Sequence, residues 1–187
     1  MKELSEMTSE ELWELFPISL VPHNNRWNNQ YAEMETFLSD KLSSYDITRI
    51  SHIGSTAING ILAKNIVDIL LEIACSEDIE KVAATMQKNG FLLMSKEKGR
   101  ISLNYGYTPM GFAEKVYHLH IRYAGDNDEL YFRDYMNDHP GIATAYEALK
   151  LYLCKKYKNN RDAYTAEKTD FIEKRMIAAR RDYKDRY

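Results

Sequence analysis

Between Trp27 and Leu42 the apolar side chains Trp27, Tyr31, Met34, Leu38 and Leu42 recur every three or four residues, the spacing of one face of an amphipathic helix. The period then shortens. Residues 47–53 are β-prone and end in the turn Gly54-Ser55-Thr56. Within residues 65–74, Val67, Ile69, Leu71 and Ile73 fill one face, while Ile66 and Leu70 share the other. A strand apolar on both faces belongs inside a sheet. Upstream, residues 8–15 predict a short helix capped by Thr8 or Ser9, and Pro17 and Pro22 bound an extended entry segment. Residues 76–89 predict a helix begun by Ser76 and ended by Gly90. Strands are expected near 91–94, 101–107 and 115–123. Helices follow over 126–138, closed by Pro140, then along Ile142, Tyr146, Leu149 and Leu153, and along Tyr164, Phe171, Ile172 and Met176. Strands gathered in the middle, with helices at both ends, predict an α/β (α+β) fold. Its mixed β-sheet carries packed helices and a helical C-terminal third, rather than a strictly alternating doubly wound order.

With 187 residues and no Pro/Gly/Ser linker, the chain reads as one domain over 1–187, with 1–19 as an N-terminal extension. A formal net charge of -3 gives no basic surface that would demand nucleic acid or an anionic membrane. The run from Ile66 to Ala74 is interrupted by Asp68 and Glu72 and is too short to span a bilayer. No basic-then-apolar leader precedes it, and Cys75 and Cys154 form no CxxC pair, so a cytoplasmic protein with reduced thiols is expected. The 14 tyrosines lie largely at helical spacing in the second half, which assigns them to packing rather than to base stacking.

Three features carry candidate chemistry. Gly54 lets the backbone approach a ligand closely, and the amides and hydroxyls of Ser55 and Thr56 can bind phosphate; such a turn also occurs simply as a turn. Asp68 is a carboxylate in an apolar strand, costly unless it is paired, metal-bound or at a wet strand end. In residues 116–122, His118, His120 and Arg122 alternate with Tyr117, Leu119 and Ile121. The two histidines then stand about 6.6 Å apart on one face, close enough to share a ligand or metal, or to form the polar face of an edge strand.

A Gly-Ser turn after one strand and an Asp on the next resembles the nucleotidyltransferase fold of the DNA polymerase β type. More closely, the chain resembles the GrpB family of that superfamily, which has no established activity. The matching residues are 21–27 (Val-Pro-His-Asn-Asn-Arg-Trp), 52–58 (His-Ile-Gly-Ser-Thr-Ala-Ile), 64–70 (Lys-Asn-Ile-Val-Asp-Ile-Leu) and His118-Leu-His120. They continue with 132–136 (Phe-Arg-Asp-Tyr-Met), His139-Pro140, Tyr164, Lys168, Phe171 and Ile172. Asn65 and Asn59 stand where prolines are usual. The resemblance implies a cleft in which active members hold two divalent ions on three carboxylates. Here Asp68 matches the first and Leu70 replaces the second, while His118 and His120 stand near the third. Glu72 lies about 13 Å from Asp68 along the strand, too far to share an ion.

The expected site is therefore Asp68 as catalytic carboxylate and, with His118 and His120, as metal ligand. Gly54, Ser55, Thr56, Lys64 and Arg133 are expected on phosphate, with Lys168 as a further cation and His52 facing the same cleft. Mg²⁺ or Mn²⁺ is the expected divalent cofactor. The donor set suits Mn²⁺, Zn²⁺ or Ni²⁺ better than Mg²⁺. Two functions stand side by side. One is a divergent nucleotidyl or phosphoryl transferase. The other is a non-catalytic domain that binds a nucleotide or other phosphorylated small molecule and has lost the two-metal site. A metal-dependent hydrolase on the His-x-His strand is a third. Either a monomer or a homodimer fits the apolar and tyrosine positions of the terminal helices.

Overall fold

The computed structural model describes residues 2–158 and 160–187. Helix α1 (Ser9–Leu15) is followed by α2 (Arg26–Lys41), β1 (Ile47–Ile53), β2 (Val67–Ile73), α3 (Ile79–Lys88), β3 (Leu92–Glu97), β4 (Arg100–Thr108) and β5 (Gly111–Tyr123). Four helices complete the chain: α4 (Asp128–Asp138), α5 (Pro140–Lys156), α6 (Arg161–Ala166) and α7 (Thr169–Tyr183). The strands form one five-stranded sheet in the order β1-β2-β5-β4-β3. Only β2 and β5 pair in parallel, and every other neighbouring pair is antiparallel. The mixed sheet with packed helices is the architecture that the hydrophobic pattern predicts.

Alternation of side chains divides the sheet into two unlike faces. Val67, Ile69, Leu71 and Ile73 of β2, with Tyr117, Leu119 and Ile121 of β5, meet α2 and α3 in the main core. There Trp27, Leu38, Val82 and Met86 have at most 1% of their surface exposed. Burying each such side chain is worth about 1.5–3 kcal/mol, which is what holds two short amphipathic helices on the sheet. On the opposite face, Leu70 packs with Ile53 and Leu130 of α4. Ile58 and Ile61, beyond the β1 turn, pack with Phe132, Met136, Ala143 and Tyr146 of α4 and α5. The rest of that second face stays open and polar.

Several local expectations shift. Helix α3 begins at Ile79 with Asp78 as cap, its carboxylate accepting from the amides of Glu80 and Lys81, rather than at Ser76. Asp78 wins because its side chain reaches two otherwise unpaired amides. Pro140 does not merely close α4; it opens α5 at its first turn, where a missing N–H costs nothing. The single helix expected through Tyr164 and Met176 is two, α6 and α7, with Lys168 at the junction. Strand β5 is no edge strand: it lies between β2 and β4. No helix among the described residues is long and apolar enough to cross a membrane.

Candidate functional site

Register places the polar residues of the open face in rows. Ile53 of β1, Asp68 of β2, His118 of β5, Asn104 of β4 and Leu92 of β3 are successive cross-strand partners. The next row of that face joins Leu70, His120, Ser102 and Ser95. Because β2 and β5 run parallel and in register, Asp68 is bound to meet His118 directly and His120 diagonally. The Asp68 Oδ1 atom lies 3.0 Å from His118 Nδ1 and 3.7 Å from His120 Nε2. One donor atom from each of the three residues falls within 4.8 Å of the others.

Each imidazole turns its second nitrogen to a hydroxyl. His118 Nε2 is 2.9 Å from the Tyr107 hydroxyl and His120 Nδ1 is 3.2 Å from Ser102 Oγ. Orienting partners of this kind fix a ligating imidazole's ring and tautomer. Burial pushes the Asp68 carboxyl upward, but hydrogen bonds and charge from His118 and His120 outweigh it and hold it well below the usual carboxylate range.

The turn is shaped around Asp68. Gly54 has φ +71° and ψ -170°, a region open essentially to glycine alone. A Cβ added there would stand 2.3 Å from Asp68 Oδ2. Gly54 is therefore required twice, for its backbone conformation and for the space the carboxylate occupies. Ser55 to Ala57 then form a single 3₁₀ turn.

Asp68 and Ser55 also border a cavity of about 270 Å³. Lys64, Lys150, Arg161 and Lys168 line it, and Asp68 is the carboxylate in its wall. Among the described residues, none of these four cations lies within ion-pair distance of a carboxylate. Aromatic rings and carbonyls hold them instead. The ammoniums of Lys64 and Lys168 sit 4.6 Å and 4.5 Å from the centre of the Tyr164 ring. Lys150 lies over Tyr146 and donates to the Leu62 carbonyl. Burial first, then the charges of Arg161 and Lys168, pushes Lys64 down to about 7. Burial, reinforced by Lys168, brings Lys150 to about 7 as well. Lys168 is lowered too, again chiefly by burial. Unpaired, partly desolvated cations around one space form a pocket built for an anion.

The remaining expected residues fall in different places. His52 faces away from this cleft: its partner in β2 is Ile69, on the core side. There its ring stacks on Tyr31 at 5.1 Å and its Nε2 lies 2.9 Å from the hydroxyl of buried Thr56. Burial pushes its pKa down to about 4, so it is a neutral strut under the turn. Arg133 does not line the cationic cavity. Its three nitrogens donate to Asp134, the His52 carbonyl and the Tyr187 hydroxyl, which leaves it a brace between α4 and β1. Glu72 is buried, its Oε1 accepting from the Gly125 amide and the Asn127 side chain, with Arg49 3.4 Å from its Oε2. Lys150, Arg161, Tyr107 and Tyr164 are the residues that sequence reasoning left unassigned to the site. They lie on helices and a strand remote in sequence; Tyr164 was visible as a family-matching residue, and Lys150 and Arg161 only as cations at helical spacing from Tyr146 and Tyr164.

The donor set decides what metal fits. Leu70, where a second carboxylate would stand, is fully buried under Leu130 and offers no oxygen. Two magnesium ions do not fit one carboxylate and two imidazoles. A single Mn²⁺, Zn²⁺ or Ni²⁺ does.

The family described as "GrpB: GrpB protein" matches residues 17–177. The chain is 33% identical over 162 residues to the Glutamate-rich protein GrpB of Alkalihalophilus pseudofirmus, a match covering 83% of this chain and 92% of the relative. A second relative, UPF0157 protein PA4798 of Pseudomonas aeruginosa, is 29% identical over 88% of this chain and 69% of its own. The crystal structure of the conserved protein GrpB from Enterococcus faecalis superposes with a TM-score of 0.75 at 28% identity, covering 88% of this chain and 99% of that one. More distantly, the GLD-2/RNP-8 complex gives a TM-score of 0.52 at 15% identity, covering 84% of this chain and 62% of that one. The Cid1 poly (U) polymerase with MgGTP bound gives 0.50 at 11%, covering 80% of this chain and 46% of the polymerase. The chain thus spans less than two thirds of these two, and the likeness is one of fold. With the family match running from the entry segment through most of α7, this chain belongs to the GrpB family, on a nucleotidyltransferase-like fold.

Proposed function

We propose that this protein is a divergent nucleotidyl or phosphoryl transferase that binds a nucleotide-like polyphosphate beside a single transition-metal ion. One observation carries the reading: Asp68 and His118, two members of the Asp68-His118-His120 cluster, stand in the wall of the cavity of four unpaired cations. The cluster supplies ligands for one metal ion, and Lys64, Lys150, Arg161 and Lys168 receive the phosphate charge with Ser55. Gly54 contributes by leaving room for Asp68. In the transfer an acceptor hydroxyl oxygen forms a bond to phosphorus. The bond from phosphorus to the leaving phosphate oxygen breaks, and the hydroxyl proton passes to water. The lysines neutralise the charge gathering on the leaving group, the largest contribution a fixed site makes to such reactions.

Buried Leu70 favours a second reading, a domain that binds the same ligand without consuming it. A thermal-shift screen of inorganic triphosphate and nucleoside triphosphates with Mg²⁺, Mn²⁺ or Zn²⁺, each followed by chromatography of the ligand, separates the two. Stabilisation with consumption supports transfer; stabilisation of an intact ligand supports binding alone. No stabilisation by any of these probes would remove both.

The lysines make a further expectation. At pH 8, groups with pKa values of about 7 are mostly uncharged in the empty cavity. A bound polyanion favours their charged form and raises those pKa values, so binding takes protons up from solution. Calorimetry of inorganic triphosphate in buffers of differing ionisation heat should therefore show net proton uptake at pH 8. At pH 6, where the lysines already carry charge, that uptake should shrink. A buffer-independent heat at pH 8 would place the anion elsewhere.

A further inference from the structure

A second cavity of about 550 Å³ lies on the far side of His118 and Arg161 from the cationic one, and its character is different. Helix α1 roofs it with Leu12 and Trp13, and Phe16 follows from the end of that helix. The floor is the end of the open sheet face, where Leu92 pairs across to Asn104 and Asn104 to His118. Tyr107 closes one side.

Two features show that this cavity is left open rather than packed. No residue of α1 is buried, although the helix carries Leu12 and Trp13 on its apolar side. Leu92, Leu93 and Met94 of edge strand β3 retain 41%, 46% and 55% of their surface. Apolar groups lining a cavity and kept from a core are the usual lining of a small-molecule site. The cavity also continues into the anion site. His118, Arg161 and Thr165 wall both spaces. Arg161 is fixed between them, donating to the Phe16 carbonyl and the Tyr107 hydroxyl, with its guanidinium 5.9 Å from the Tyr107 ring centre.

We infer that the ligand carries a flat, largely apolar ring joined to its phosphates, and that this ring lies under α1 against Trp13 and Tyr107. The inference rests on the reading of the cationic cavity as a phosphate site and names the class of compound it takes: a nucleoside polyphosphate or a close analogue. The occupant follows from the two linings taken together. Two spaces with apolar walls adjoin the phosphate site. One, of about 470 Å³, shares Ser55, Asp68 and Lys168 with it and carries Glu97, Arg100, Arg122 and Glu129 on its wall. The other lies past His118, where the rings of Trp13 and Tyr107 and the Asn104 amide suit a planar group with polar edges better than those charges do. Stacking on such rings is tolerant of base identity. Helix α1 lies ahead of residues 17–177, the span that matches the family.

The test compares inorganic triphosphate with ATP, GTP, CTP and UTP by calorimetry with Mn²⁺ present, on the full chain and on Trp13→Ala. The full chain should bind at least one nucleoside triphosphate on the order of 10-fold more tightly than inorganic triphosphate. Trp13→Ala should lose most of that preference while its affinity for inorganic triphosphate stays unchanged, which also certifies that the variant is folded. Equal affinities for all five compounds in the full chain would show that the cavity takes no ring. A preference that survives Trp13→Ala would take α1 out of the site. A concentration-dependent dimer abolished by Trp13→Ala would assign the cavity to a second copy of the chain. Failure of inorganic triphosphate itself to bind would instead strike at the phosphate site, and is read separately from the other results.

Discussion

Asp68→Asn should reduce the affinity of the protein for Mn²⁺ and Zn²⁺ by roughly 100-fold or more, the upper range seen even for loss of groups that merely orient a ligand. The reason is geometric. Asp68 Oδ1 is the atom toward which both imidazoles turn, at 3.0 Å from His118 Nδ1 and 3.7 Å from His120 Nε2. An amide keeps the shape but removes the negative charge, and its nitrogen presents a donor where an acceptor is needed. The fold should survive, because Asp68 reaches the open face rather than the main core. Metal titration followed by elemental analysis, alongside a melting curve, reads both consequences. Metal affinity equal to that of the unaltered chain would sink the assignment of Asp68 as a ligand. Turnover that persists unaltered in the variant would reject its part in transfer.

Gly54→Ala should be strongly destabilising and should disturb the metal cluster as well. The backbone there has φ +71° and ψ -170°, and a side chain held in that region costs about 1–3 kcal/mol. The new Cβ would meet Asp68 Oδ2 at 2.3 Å and Asp68 Cβ at 2.9 Å, so either the turn or the carboxylate has to move. Overpacking of this kind adds about 1–3 kcal/mol. Together they predict a loss of about 2–6 kcal/mol in urea unfolding, with metal affinity falling in whatever fraction remains folded. Gly60→Ala is the matched control. It has φ +74° but open space around the added atom, so it should suffer the backbone strain alone and leave metal binding intact. Equal losses for the two variants would mean that contact with Asp68 contributes nothing.

Much of the fold could be read from residue patterns because burial is periodic. The faces of β2, the apolar stripe of α2 and the alternation of β5 all lie where the hydrophobic spacing puts them, since each element must hide one side from water. Helix starts were less legible. Ser76 and Asp78 are both good caps, and only the path of the chain after β2 decides which side chain reaches the first free amides. The junction at Lys168 was invisible for the same reason: the apolar spacing runs through both α6 and α7, yet Tyr164 of α6 packs with Ile18 and Leu153 while Phe171, Ile172 and Met176 of α7 pack with a different cluster around Ile58 and Tyr146.

The same division holds for the site. Order along the chain determined that a Gly-Ser turn precedes a strand bearing Asp68 and, four residues on, Glu72, and that two histidines share a strand face; the family resemblance added that Leu70 stands where active members carry a second carboxylate. Those are local facts, fixed by spacing along one segment at a time. Tertiary structure alone decided that β5 lies parallel to β2 and in register, which brings Asp68 and both histidines to one point. It also turned His52 to the core and tied Arg133 into a brace, and it gathered Lys64, Lys150, Arg161 and Lys168 from four separate segments around one cavity. No spacing rule joins residues so far apart. They meet because α5 and α7 pack on Ile58 and Ile61 beyond the β1 turn and α6 packs through Tyr164 on α5, which brings Lys150, Arg161 and Lys168 around Lys64, and the cost of desolvating those cations is what marks the cavity as a place for an anion.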